Sequence, residues 1–266
     1  MINMKNFDHF IAIHWTGAKQ PQPNDDIAVA MCRADERSVP TLVDRSWSRH
    51  DVCEWVKDTV INGYSDASRI FLAINANFGY AQSVGAEHFG NYYNYRDVWQ
   101  AVEKASKAAP NFYAEGFWTH PVYADDFSDA SDGQTDETHK KRVVERICEE
   151  NEAFDLDSPF VAGRDCDYGR GGLCAMRMAY NLKLTCGPDV SFWPYEGALC
   201  DVSKMVVAEV APQKFLSRAG LDTEFEVSLH GLKKALAVFD ADIGDIKLDL
   251  NAARYKAMLT AAGVRS

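Results

Sequence analysis

The run Phe10-Ile11-Ala12-Ile13-His14-Trp15 is apolar except for His14. In a strand, alternation sets Ile11, Ile13 and Trp15 on one face and Phe10, Ala12 and His14 on the other. The run meets a polar residue near its end and turns at Thr16-Gly17-Ala18-Lys19. Arg69-Ile70-Phe71-Leu72-Ala73-Ile74-Asn75 repeats the pattern and leads into Ala76-Asn77-Phe78-Gly79-Tyr80. Open α/β sheets place their sites at such strand ends, so His14 and Asn75 are expected to be neighbours.

Residues 26–33 alternate Ile27, Val29 and Met31 with Ala28, Ala30 and Cys32 and predict a second strand; 41–47 predict a third. The Pro- and Asn-rich turn at 20–25 and the short connection after 33 make these three an antiparallel meander. Ser48 is an N-cap, with Asp51 at the third helical position. That helix carries Val52, Trp55, Val56 and Val60 and stops at Asn62-Gly63. Asn94 caps a second helix through Val98, Val102 and Ala105, ending before Pro110. Strands follow at 190–193 and 205–210, then helices from Pro212, at 227–239 and at 249–262. The expected class is α/β, a mixed sheet of an antiparallel meander and parallel strands flanked by helices.

A helical and loop insertion is expected at about 78–190. It begins with an aromatic, Gly-containing loop at 78–93, read either as a cover for the strand ends or as a packed loop. An irregular aromatic stretch at 111–123 holds His120 beside Pro121, and the acidic stretch 125–137 reads as an exposed loop. The helix at 138–152 is expected to turn Val143, Val144 and Ile147 inward and Lys140, Lys141, Arg142 and Arg146 to solvent. Residues 158–172, with Arg164, Asp165, Asp167 and Arg170, read as a structured surface loop. A helix at 173–184 is expected to bury Met176, Tyr180 and Leu184 as one stripe.

The chain has 266 residues, enough for a large core, as a single domain carrying that insertion. Its net charge of -11 argues against broad, non-specific coating of nucleic acid. No apolar run is long enough to span a bilayer, and residues 1–9 lack the regions of a signal peptide, which predicts a cytoplasmic protein. The cysteines number 7, with no C-x-x-C spacing, and read as reduced core thiols; paired zinc ligands are missing from the pattern.

Several segments together resemble a bacterial family of predicted RNase H-like nucleases. They are Ile13-His14-Trp15-Thr16-Gly17-Ala18-Lys19, Ala73-Ile74-Asn75-Ala76-Asn77-Phe78-Gly79-Tyr80, Ala208-Glu209-Val210-Ala211-Pro212 and Lys256-Ala257-Met258-Leu259-Thr260-Ala261-Ala262, with Trp47-Ser48-Arg49 and Phe192-Trp193-Pro194-Tyr195-Glu196. The resemblance implies an RNase H-like fold, whose opening order is three strands, a helix and a fourth strand. It also implies a site where clustered carboxylates hold two divalent ions that activate water. Here the family's acidic positions carry His14, Asn75, Glu209 and Lys256, so only Glu209 keeps a carboxylate. Mg²⁺ needs hard, charged oxygen ligands, which a histidine, an amide and a lysine do not supply.

Three readings are open. In the first, the chain is a catalytically degenerate RNase H-like protein that binds a partner or ligand at the old cleft and needs no cofactor. A protein partner or a second copy of the chain fits that reading. In the second, the chain is a remodelled metal-dependent hydrolase or nuclease with a divalent cation, Mg²⁺, Mn²⁺ or Zn²⁺: His14 serves as transition-metal ligand or general base, Asn75 as oxygen donor or oxyanion stabiliser, and Glu209 as ligand or acid. In the third, Thr16, Gly17 and Lys19 form a phosphate-holding turn of the actin-like ATPase type, a pattern too short to be specific. Purely structural roles weigh against each: His14 bonded to Asn75, and Glu209 paired with Lys256 or capped.

Overall fold

The structure, a computed structural model, describes every residue except 1, 22–25, 35–39, 66, 82–84, 88–93, 128–140, 151–157, 163–166, 222–225 and 242–247. In chain order its main elements are β1 (His9–His14), β2 (Ala28–Arg33), β3 (Thr41–Leu42), α1 (Arg49–Asp58), β4 (Ile70–Ile74), α2 (Tyr95–Ser106), α3 (Glu115–Trp118), α4 (Val143–Glu150), α5 (Asp167–Cys186), β5 (Val190–Trp193), β6 (Met205–Glu209), α6 (Pro212–Arg218), α7 (Leu229–Ala237) and α8 (Ala252–Arg265). The chain divides into two compact units. One takes residues 1–15, 22–75 and 185–266; the other takes 16–21 and 76–184.

The first unit holds a six-stranded mixed sheet of order β3-β2-β1-β4-β6-β5. β1 to β3 form the antiparallel meander, and β4, β6 and β5 run parallel to β1. Alternation sorts the side chains: Phe10, Ala12, Ala28, Ala30, Phe71, Ala73, Val206 and Ala208 join one core cluster with α6, α7 and α8. Ile11, Ile13, Leu72, Ile74 and Val207, on the other face, are also buried. Coverage on both faces is what parallel strands require.

β3 is much shorter than the expected 41–47. Val43 makes one more backbone bond to Val29, and then Trp47, buried, packs edge-on against Trp55 of α1. That indole contact takes the chain out of the sheet and into the helix. α1 starts as its sequence predicts: Ser48 accepts from the Asp51 amide, and Asp51 accepts from the Ser48 amide. Its last residues pass into a π-helical turn at Thr59–Gly63.

In the second unit, α2 is capped by Asn94 and buries Val98, Trp99 and Val102. Trp99 donates its indole N–H to the Phe78 carbonyl at 2.7 Å, and Tyr80 stacks on Phe160. The described part of the 78–93 loop is therefore packed. Arg177 of α5, nearly inaccessible, bonds Glu103 of α2 at 2.7 Å and the Tyr113 carbonyl at 2.6 Å.

Two helices here differ from expectation. α4 turns Val143, Val144 and Ile147 outward and buries Glu145 completely. The Glu145 carboxylate accepts from the Arg142 amide and guanidinium and from the Tyr168 hydroxyl at 2.8 Å. A buried carboxylate held by that many donors fixes the rotation of so short a helix more firmly than three aliphatic side chains do. Arg142 is thereby withdrawn from the expected basic patch, and Lys140 lies outside the described residues. α5 begins at Asp167, six residues before the expected start, and is buried nearly all round at Leu173–Ala179. Met176 is buried, Tyr180 half-buried and Leu184 exposed, so no single core stripe exists. Arg164 and Asp165 lie outside the described residues.

Replacing Ser48 by Ala removes the α1 cap and is expected to lower unfolding free energy by about 1 kcal/mol. Ser48→Asn, a competent cap, should recover most of the loss. Urea unfolding of the three proteins measures both changes, and equal midpoints would contradict the capping argument.

Candidate functional site

β1, β4 and β6 end side by side, with Ile13 opposite Ile74 and Ile74 opposite Glu209. One step further on, Asn75 donates its backbone N–H to the Ile13 carbonyl at 3.4 Å. Its side chain then continues the pairing. The Trp15 amide donates to Asn75 Oδ1, and Asn75 Nδ2 donates to the Trp15 carbonyl at 3.2 Å. The amide thus acts as an extra rung between β1 and β4. Only a group that both donates and accepts can do this; an ionised carboxylate accepts alone. The expected bond from His14 to Asn75 is replaced by this clamp on Trp15.

His14 follows Phe10 and Ala12 onto the face covered by α8, where Lys256 is carried. His14 is half-buried, but its Nδ1 is fully enclosed and has no hydrogen-bond partner among the described residues. Burial first, and then the charge of Lys256, push its pKa down to about 3. At neutral pH the imidazole is uncharged and lies beside a cation.

Glu209 is opposite Ile74 in register, so it shares the face of Ile13 and Ile74 and not that of His14 and Asn75. Its carboxylate accepts the Tyr195 hydroxyl at 2.9 Å. The structure therefore brings His14 and Lys256 together, sets the Asn75 amide between β1 and β4, and by register puts Glu209 on the face opposite His14. The bond from Tyr195 was not read from the sequence, although the residue stands in the Phe192–Glu196 segment that carries the resemblance.

Thr16, Gly17 and Lys19 belong to the second unit. Thr16 Oγ1 accepts from the Ala18 amide at 3.1 Å, closing a local turn. A Cβ on Gly17 would overlap the backbone of Arg170 and Gly171, so glycine is required there by close packing. Lys19 is paired with Glu115 at 2.9 Å, and that hydrogen bond raises its pKa. Each residue of the supposed phosphate turn has a partner within the protein.

These donors do not fit a pair of divalent cations. Asn75 is committed to the backbone, Lys256 brings positive charge to His14, and Glu209 is by register on the face opposite His14. Among the described residues no three His, Cys, Asp or Glu side chains converge as a ligand set. Neither a family model, nor a curated protein, nor a solved structure matches the chain.

Two substitutions test the geometry. Asn75→Asp should cost about 1–3 kcal/mol, because the Trp15 carbonyl loses its donor and faces a carboxylate. The loss should be larger at pH 7 than at pH 4, where the new acid can be protonated. For His14, the unfolded chain binds a proton below about 6.5 and the folded chain only below about 3. Its contribution to stability is complete above the unfolded pKa and is lost as pH falls through that window. Stability should therefore rise with pH there, with His14 adding up to about 1.4 kcal/mol per pH unit. His14→Gln should flatten the slope in denaturant titrations at pH 4, 5, 6 and 7; an unchanged slope would contradict a neutral imidazole with its Nδ1 enclosed.

Proposed function

We propose that this chain is a catalytically degenerate RNase H-like protein that acts by binding, not by metal-dependent cleavage. Support for the fold part of this reading comes from the order β3-β2-β1-β4, with α1 between β3 and β4, as the resemblance implies. Support for the loss of catalysis comes from one observation above all. The Asn75 amide is bonded to both backbone groups of Trp15, at the position where the resemblance implies a metal-binding acid. Restoring an acid there would break the clamp, so this position is adapted to holding the strands together. Lys256 adds to the argument, since a cation close enough to lower the His14 pKa opposes a divalent ion there.

A specific feature favours one competing reading, a remodelled transition-metal site. His14 is neutral at physiological pH, as a metal-bound imidazole must be, and its enclosed Nδ1 lacks a partner among the described residues. The two readings differ in their ligands. A ligand that binds the folded state alone raises the unfolding midpoint. Millimolar Mg²⁺ or Mn²⁺ should leave that midpoint unchanged, and single- and double-stranded DNA and RNA should stay intact in Mn²⁺. Cleavage that Glu209→Ala abolishes would overturn the binding reading. A rise with Zn²⁺ that disappears in His14→Ala would establish the remodelled site instead.

A further inference from the structure

The second unit carries an open groove of about 730 Å³ along α2, lined by Asp97, Gln100, Ala101, Lys104, Ala105, His120 and Tyr123. The five α2 positions recur at helical spacing and form one face of the helix. Ala101 and Ala105 make a low floor between longer side chains. The opposite wall is brought in by α3. A Cβ at Gly116 would overlap the Ala105 carbonyl, so glycine lets α3 lie directly on α2 at that point. The turn after α3 is then fixed by backbone bonds from Tyr123 and Ala124 to the His120 carbonyl, at 2.9 and 2.8 Å. Tyr123 also stacks on Phe117, with ring centroids 4.3 Å apart.

The polar groups of this groove are oriented. The Val122 amide donates to His120 Nδ1 at 3.2 Å. An accepting Nδ1 leaves the ring proton on Nε2, which is then a donor. Lys104 is exposed and makes no ion pair among the described residues, in a chain of net charge -11. At the other end, the Asp97 carboxylate accepts the Asn94 amide and is held as part of the α2 cap. Asp97 and Lys104 are two turns apart, about 10 Å along the axis, or roughly one Debye length in physiological salt. An anion beside Lys104 is therefore largely screened from Asp97.

We propose that this groove binds a small anion, a carboxylate or a phosphate. Lys104 and the His120 Nε2–H hold the charged group, and a flat or apolar body rests on Ala101, Ala105 and Tyr123. The inference stands on residues of the second unit and goes beyond the reading of the strand ends. Neither result bears on the other.

Calorimetric titration at constant ionic strength, with benzoate, phenyl phosphate and inorganic phosphate as probes, tests it. Saturable binding is expected for at least one probe. Lys104→Gln and His120→Asn should each weaken that binding about tenfold, the loss of one charge-assisted hydrogen bond. Both sites are at the surface, and circular dichroism with unfolding midpoints verifies that the variants are folded. Lys234→Gln, which makes the same change in net charge on α7, should bind as the parent does. Binding of phenyl phosphate without benzoate assigns a phosphoryl ligand, and the converse assigns a carboxylate; both outcomes uphold the proposal. No saturable binding of any probe, or an equal loss in Lys234→Gln, overturns it.

Discussion

The strand ends depend on one side chain, the amide of Asn75, which bonds both the N–H and the carbonyl of Trp15. Its position explains why the bond matters. The chain passes from the first unit to the second after Trp15 and again after Asn75. At both crossings a strand stops while its neighbour also stops, and backbone groups that the sheet would have paired are left over. Buried backbone groups without partners are costly. An asparagine meets one donor and one acceptor at once, and it does so where β1 and β4 must separate.

The electrostatics at the strand ends follow from that commitment. A neutral imidazole and an ammonium meet on the face of α8, and the Asn75 amide is held between the strands next to them. Glu209, the one acid of the sequence-based set, bonds Tyr195 and by register belongs to the opposite face. A two-metal mechanism depends on negative groups that cancel the charge of closely spaced cations. The described residues on this face supply a positive group instead. Rebuilding such a site would take reversal of charge at Lys256 as well as acids at 14 and 75.

What could be read from the sequence was whatever is decided within a few residues. The Ser48 and Asn94 caps, the proline that opens α6 and the alternation in β1, β2 and β4 are local signals, and the elements formed there. The adjacency of the His14 and Asn75 strand ends also came from pattern alone. The face taken by Glu209 did not, because it depends on the register between β4 and β6. β3 ended early because Trp47 found Trp55 across a helix turn. α4 rotated against its aliphatic stripe because Glu145 found Arg142 and Tyr168, and the tyrosine lies 23 residues away. In each case a side-chain contact that neither the strand nor the helix period signals outweighed a sound local preference.

The start of α5 shows the same competition at a single helix. Gly169, Gly171 and Gly172 suggest a loop, since glycine costs about 1 kcal/mol relative to alanine in a helix interior. Each of two of these glycines gives close approach in return. A Cβ at Gly169 would overlap the carbonyls of Val161 and Pro159, and one at Gly172 would overlap the side chain of Asn77. The Gly171 amide in turn lies where a Cβ on Gly17 would fall. The backbone of α5 thus packs against three segments at a spacing that side chains would forbid. Dispersion and burial at that spacing outweigh the propensity that glycine lacks. The glycines of this segment, and Gly17 in the turn facing it, are therefore explained by packing before any anion is invoked.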